Sequence, residues 1–193
     1  MRRRAGSGIF LLILAAWPAL AGSGEALTIG ALMAQLGTVT ESHARFEETK
    51  TLRALSAPIE TSGTLFYRRP DHLEKITFPP HSEQLVVEGG KLRLSLPGAA
   101  PQEFDLARTP PIAALVEAIR ATLAGDLAAL QRNYSVGLDG NAADWHLTLV
   151  PNDPEVARFL RAARLSGTGR ELREVSFTQA NGDTSVMRIT PLP

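Results

Sequence analysis

His43 and Glu47 are the first pair in the chain whose spacing could hold a metal ion, because residues i and i+4 share a face of a helix. The segment around them, residues 43–52, instead carries a loose period-two pattern. On a strand those two side chains share a face but stand too far apart to grip one ion. His72 and Glu74 could be same-face strand neighbours, a weaker metal pair, and His81 between Pro80 and Ser82 reads as loop. Glu47 and Glu48 are adjacent, so on a strand they point to opposite faces and cannot work as a carboxylate dyad. There is no Gly-x-Ser-x-Gly elbow, and the absence of cysteine removes thiol nucleophiles, disulfides, cysteine-ligated zinc and iron–sulfur clusters. Gly89-Gly90 and Gly167-Thr168-Gly169 suit hairpin turns better than phosphate cradles, since neither opens a helix. No enzyme activity, metal or cofactor is expected from this set. The apolar stretches are the more informative part of the sequence, and a carboxylate hydrolase assembled from distant strands is the weakest of the readings.

The composition bounds the rest. A chain of 193 residues with 44% hydrophobic and 21% charged residues fits one globular domain. Its 20 basic and 20 acidic residues leave no basic excess for phosphates, which argues against nucleic acid as a partner. Arg2, Arg3 and Arg4 precede an apolar run at residues 9–20 (IFLLILAAWPAL), and Ala19-Leu20-Ala21 is a small-x-small triplet. This is the layout of a secretory signal peptide cleaved after about Ala21, and the run is too short for the ~20 residues of a spanning helix. The expectation is a signal peptide over residues 1–21 and a single domain over 22–193, exported, slightly acidic once processed, and a monomer.

The elements that must carry any site follow from periodicity. Thr28 precedes Ile29, Leu32, Met33 and Leu36, which predicts a capped amphipathic helix ending near Gly37. Strands are predicted over residues 43–52, over GTLFYRR from Gly63, and over HLEKITF up to Pro79-Pro80, the last two joined by a Pro70-Asp71 turn. Leu85 and Val87, the Gly89-Gly90 turn, then Leu92, Leu94 and Leu96 read as a hairpin with one apolar face. Residues 110–130 (PPIAALVEAIRATLAGDLAAL) change to helical spacing, with a break at Gly125-Asp126 that predicts two helices, the second capped by Asp126. Strand signals return around Trp145–Leu149, over residues 160–165, and on both sides of the Asn181-Gly182 turn, with one helical turn over residues 153–159. This makes an α+β domain whose many antiparallel strands should curl strongly or partly close. The long segment 110–130 admits two readings. It is a core helix, or a lid over an apolar cavity with small alanines leaving room for a ligand.

Several pieces in order carry a resemblance: Ser42-His43-Ala44-x-Phe46, Gly63-x-Leu65 leading to Arg69-Pro70, and Pro80 followed by Leu85-Val86-Val87-x-Gly89. Leu149-x-Pro151 and the closing Asn181-Gly182 hairpin complete it. Over most of residues 28–189 the chain resembles the outer-membrane lipoprotein carriers, the LolA-type periplasmic chaperones, as a divergent member. That resemblance implies an incomplete antiparallel β-barrel covered by helices. It also implies a hydrophobic cavity that takes lipoprotein acyl chains from an inner-membrane releasing complex to an outer-membrane acceptor. It casts Arg69 as a latch that hydrogen-bonds the backbone of the covering helices, and Leu73 as an apolar contact for the ligand or the releasing complex. With strand parity placing Leu65 and Tyr67 on one face and Phe66 on the other, the expected lining is Phe46, Leu65, Tyr67, Leu73, Leu94, Leu115 and Ile119, with Arg69 as the polar element. Two departures bear on the cargo: Leu92-Arg93-Leu94 stands where the family often has an aromatic-rich strand, and Glu74-Lys75 where an aromatic residue is expected. A carrier for a different acylated or polyene-like lipid fits the residues too. An envelope-assembly module with a filled core and no lipid is the alternative of another class.

Overall fold

The computed structural model describes residues 27–193. The expected signal peptide lies outside the described residues.

Helix α1 (Ile29–Leu36) starts where Thr28 Oγ1 accepts the Ala31 N–H and buries Leu32, Met33 and Leu36. Six strands follow: β1 (Glu41–Thr51), β2 (Ile59–Arg68), β3 (His72–Thr77), β4 (Glu83–Glu88), β5 (Lys91–Ser95) and β6 (Gln102–Asp105). After a 3-10 turn come α2 (Pro110–Ala124), α3 (Leu127–Asn133), β7 (Tyr134–Asn141), β8 (Asp144–Pro151) and α4 (Pro154–Ala157). Strands β9 (Leu160–Thr168), β10 (Glu171–Gln179) and β11 (Thr184–Pro191) complete the chain. Asp126 caps α3 by accepting the Ala129 N–H, as its position after the Gly125 break predicts.

All eleven strands form one antiparallel sheet in the order β6-β5-β4-β3-β2-β1-β11-β10-β9-β8-β7. Strand β1 stands in the middle and pairs with β11, so two meanders join along that line. β6 and β7 are left as edges, and the curved sheet does not close on itself. The fold class is the α+β, incomplete-barrel arrangement that the sequence implies. β6 and β7 are the additions. β6 is only four residues, QEFD, too short to show alternation, and β7 contains Gly137, Asp139 and Gly140, which read as turn residues.

Two aromatic–glycine contacts shape the sheet. Gly63 on β2 leaves room for the Phe46 ring, since a Cβ there would stand 2.7 Å from it and 1.8 Å from the Ile76 carbonyl oxygen. Gly167 on β9 does the same for Trp145, with a Cβ 2.5 Å from the indole. Glycine at these points lets a large ring pack directly against the backbone.

The helices pack on one part of the sheet: α3 on β7, α4 on β8 and β9, and α2 on β9 and on the other three helices. There the core is filled by Trp145, Leu147, Leu149 and Leu165, with Leu32, Leu36 and Leu130 from the helices above. The buried face of α2 consists of Ala114, Ala118, Ala121 and Thr122. Of the two readings of this segment, its buried alanines fit the core helix: they pack in the filled core, and Ala114 also borders a cavity. Its larger aliphatic side chains are the ones turned toward open space.

Candidate functional site

Where α2 leaves the crowded part of the sheet, it overhangs β1–β5 and encloses a half-open cavity of about 650 Å³. This is within the ~300–1,000 Å³ common for ligand sites. Its roof is Ile112, Leu115, Val116, Ile119 and Leu123 of α2. Those residues recur at the three- and four-residue spacing that puts them on one side of a helix. Its floor comes from the concave face of the sheet, with Ala44, Leu65, Tyr67, Leu73, Val87 and Leu92 on the β1–β5 side. Leu172, Val175, Met187 and Ile189 continue it across β10 and β11. Residues 38–41, Arg170, Glu171 and Leu192 stand at the exposed rim.

The structure brings together Leu65, Tyr67, Leu73, Leu115 and Ile119 of the residues singled out from sequence. Phe46 and Leu94 face the same side of the sheet, because Phe46 is in register with Gly63 and Leu94 with Leu85, yet neither lines the cavity. Phe46 is pressed against Gly63 and is fully buried by the protein itself. Parity assigns a face; it does not say how far along the strand the hollow extends.

Arg69 sits just past β2, at the edge of this space rather than in its wall. Its Nη1 donates to the Gly37 carbonyl and its Nη2 to the Ala124 carbonyl at 3.1 Å. Gly37 is the C-cap of α1 and Ala124 the last residue of α2, so one guanidinium holds the carbonyl ends of two helices. Both ends carry partial negative charge and unpaired acceptors, which suits a planar fork of donors. A second pocket, about 700 Å³, lies on the other flank of α2 among Asp71, Glu117, Arg120, Asp153 and the buried Tyr134. Val87 and Val116 border both spaces. The Tyr134 hydroxyl donates to the Ala114 carbonyl, and burial, reinforced by Glu117, holds its pKa far above the usual tyrosine value. The Tyr67 hydroxyl is also raised by burial, against the pull of Arg69 and Arg120, and it is buried without a hydrogen-bond partner among the described residues.

On the outer face, His43 reaches Glu41 at 3.4 Å and stacks with Phe66, while His72 pairs with Glu88 at 3.1 Å rather than with Glu74. Among the described residues, no group of three or more His, Asp or Glu side chains could hold a metal ion.

Sequence reasoning missed a buried charged group whose partner, Lys75, lines the cavity. Glu48 is only 6% exposed and accepts from Lys75 Nζ at 2.7 Å and from Ser185 Oγ at 2.7 Å, with Lys50 Nζ at 3.5 Å. The signal was available: Glu48 has the parity of the inward residues Ala44 and Phe46. Burial alone would raise its pKa, but the bond and charge of Lys75, together with Ser185 and Lys50, overcome it and hold the carboxyl below its ordinary value of 4.5. A depressed carboxyl contributes stability that is complete above the unfolded-state pKa and is lost as pH falls through the folded one. The melting temperature should therefore drop more steeply below about pH 4.5 in the wild type than in Glu48→Gln, as followed by circular dichroism from pH 7 to pH 3. Parallel curves would deny Glu48 this role.

The family model described as outer membrane lipoprotein carrier protein LolA-like matches residues 21–189. Among solved structures, a LolA superfamily protein from Nitrosomonas europaea is 10% identical, with a TM-score of 0.43 and 86% of this chain and 92% of that chain covered. A putative outer membrane lipoprotein-sorting protein domain from Vibrio parahaemolyticus is 9% identical, with a TM-score of 0.46 and coverage of 84% and 88%. The Pseudomonas aeruginosa MucA/MucB complex gives 11% identity, a TM-score of 0.44 and coverage of 84% and 55%. No curated protein matches the chain in sequence. With the match running over nearly all of the described domain, the chain belongs to the LolA-like outer membrane lipoprotein carrier family.

Proposed function

We propose that this protein is a periplasmic carrier that takes lipid or lipoprotein acyl chains into the cavity beneath α2 and moves them between membranes. One observation supports this above the others. The roof of a 650 Å³ hollow is aliphatic and its floor is mostly apolar, although the fold also has a filled core. A hydrocarbon tail gains about 0.8 kcal/mol for each methylene taken out of water, so such a container binds without any reactive group. Arg69 is the latch in this reading. Its bonds to Gly37 and Ala124 close the α1–α2 end over the cargo, and breaking them frees both helices at once. Leu65, Tyr67, Leu73, Leu115 and Ile119 hold the tail, and the free hydroxyl of Tyr67 offers one donor to an ester or amide carbonyl. An inner-membrane complex would load the protein and an outer-membrane acceptor would unload it.

Native mass spectrometry of the processed protein, purified from envelope extracts without detergent, tests this directly. A stoichiometric lipid or acyl-peptide adduct, displaced by an apolar dye at one site per chain, is the expected result. A bare protein that also fails to take up the dye would favour an assembly module that docks other proteins, and the carrier reading would fall.

A further inference from the structure

We infer that the second pocket, on the other flank of α2, is a headgroup site: it receives the ammonium-bearing head of an acyl ligand whose tail lies in the apolar cavity. This rests on the carrier reading and adds the class of head to it.

The two hollows differ in what they offer, and they meet at one place. The apolar cavity runs across the strands from Leu92 on β5 to Leu172 on β10, which gives a tail length to fill on both sides of β1. The pocket of about 700 Å³ lies where the β2–β3 and β4–β5 turns face α2, through Asp71, Gly90, Ala113 and Glu117. Val87 of β4 and Val116 of α2 line both spaces. They form a sill that an amphiphile can straddle, with its tail on one side and its head on the other.

Charge sets the class of head. The charged residues of the pocket are Asp71, Glu117 and Asp153 against Arg120. Glu117 already answers Arg120, accepting from its Nε at 2.7 Å and its Nη2 at 2.6 Å. Asp71 and Asp153 are left to set the field. One oxygen of each accepts a backbone N–H, from Gly89 and from Glu155, and the second has no bond among the described residues. An ammonium entering this space is attracted by both, and a carboxylate or phosphate is repelled.

The Tyr67 hydroxyl marks where the acyl carbonyl rests. Tyr67 stands in the same cross-strand row as Leu73 and Val87, is 2% exposed, and its hydroxyl has no hydrogen-bond partner among the described residues. Arg69 and Arg120 are near enough for their charges to act on it. Both are donors, as the phenol is, so an acceptor oxygen is what this point lacks. An ester or amide carbonyl over the sill supplies one without adding charge. A phosphate would supply one too, but would set its own charge against Asp71 and Asp153. The shared chemistry is therefore an acyl carbonyl followed within a few bonds by an ammonium, as in a lipopeptide or an aminolipid.

The test varies the head on one tail. N-dodecanoyl-lysinamide, N-dodecanoyl-glycinamide, N-dodecanoyl-glutamate and dodecanoylcholine displace N-phenylnaphthylamine, an uncharged dye, from the delipidated protein. The lysinamide should bind about tenfold more tightly than the glutamate, with the glycinamide between them. A gain shared by dodecanoylcholine marks an aminolipid head, and one confined to the lysinamide marks a lipopeptide. In Asp71→Asn/Asp153→Asn, where asparagine can keep both backbone bonds, the ratio should fall to about twofold. The exposed rim of the apolar cavity has acids too, Glu41 and Glu171, so Glu41→Gln/Glu171→Gln is the counterpart, and there the ratio should stay at about tenfold. Tyr67→Phe should weaken all the acyl amides by a common factor of about five and keep their order. A wild-type ratio near one, or a ratio that survives in Asp71→Asn/Asp153→Asn, overturns the inference while leaving the carrier reading intact. A wild-type protein that takes up neither the dye nor the glycinamide overturns both.

Discussion

Gly125→Ala should lower the melting temperature by about 10 °C and release the cover of the cavity in the same step. Gly125 has a φ of 67°, and its N–H and that of Asp126 close the end of α2 on the Ala121 and Thr122 carbonyls. Alanine in that left-handed conformation costs about 1 kcal/mol. A Cβ there would also stand 2.2 Å from the Met33 oxygen, 2.8 Å from the Gly37 nitrogen and 2.9 Å from the Gly37 Cα, all backbone of the α1 terminus. None of these atoms can swing aside as a side chain would, so α1 and the α2–α3 joint must separate, for a further ~1–3 kcal/mol. A total of about 2–4 kcal/mol gives the stated shift for a domain of this size. The displaced groups include the two residues whose carbonyls Arg69 holds, so a bound apolar dye should also leave faster. Gly30→Ala is the control: nothing stands within 4 Å of a Cβ there, and alanine in α1 should raise the melting temperature slightly. Equal melting temperatures for Gly125→Ala and the wild type would mean that the two helix ends are not locked together.

Trp145→Ala should be the most damaging single change in the sheet, at about 3–5 kcal/mol. The indole is fully buried, covers Gly167, and donates Nε1–H to the Gly169 carbonyl at 2.9 Å. Truncation removes the largest side chain of the packed part of the core and leaves that carbonyl without its donor. In urea the unfolding midpoint should fall by roughly 2 M, taking ~2 kcal/mol/M for the slope. Leu115→Ala makes an informative contrast. Leu115 already borders open space on one side, so its loss should shift the midpoint far less while weakening uptake of an apolar dye. Similar losses of stability at the two positions would mean that the space under α2 is as tightly filled as the rest.

Much of this architecture was legible because it is local. Thr28 and Asp126 announce their helices through cap chemistry, and the Gly89-Gly90 and Asn181-Gly182 turns announce their hairpins. Period two placed Leu65 and Tyr67 together, and the helical period collected Leu115 and Ile119. What escaped depends on distance along the sheet or on groups far apart in sequence. The extent of the hollow is decided by where α2 crosses the strands, so Phe46 and Leu94 could be assigned a face but not a depth. Glu48 meets Ser185 across 137 residues, a contact no window along the chain contains. Lys75 is a charged residue at an inward position, which looks like an ordinary interruption of the pattern until its partner on β1 is known. The alanines of α2 left two readings open for a related reason: the helices they pack among lie on both sides of α2 in the sequence.

The eleven-stranded sheet begins at β6 and ends at β7 without a ladder joining them. A fully closed barrel has a girth fixed by its count of strands and their stagger. Here the circumference is interrupted by a seam, so the wall can roll tighter or looser while every inter-strand hydrogen bond is kept. Such an open wall changes its bore by elastic bending alone.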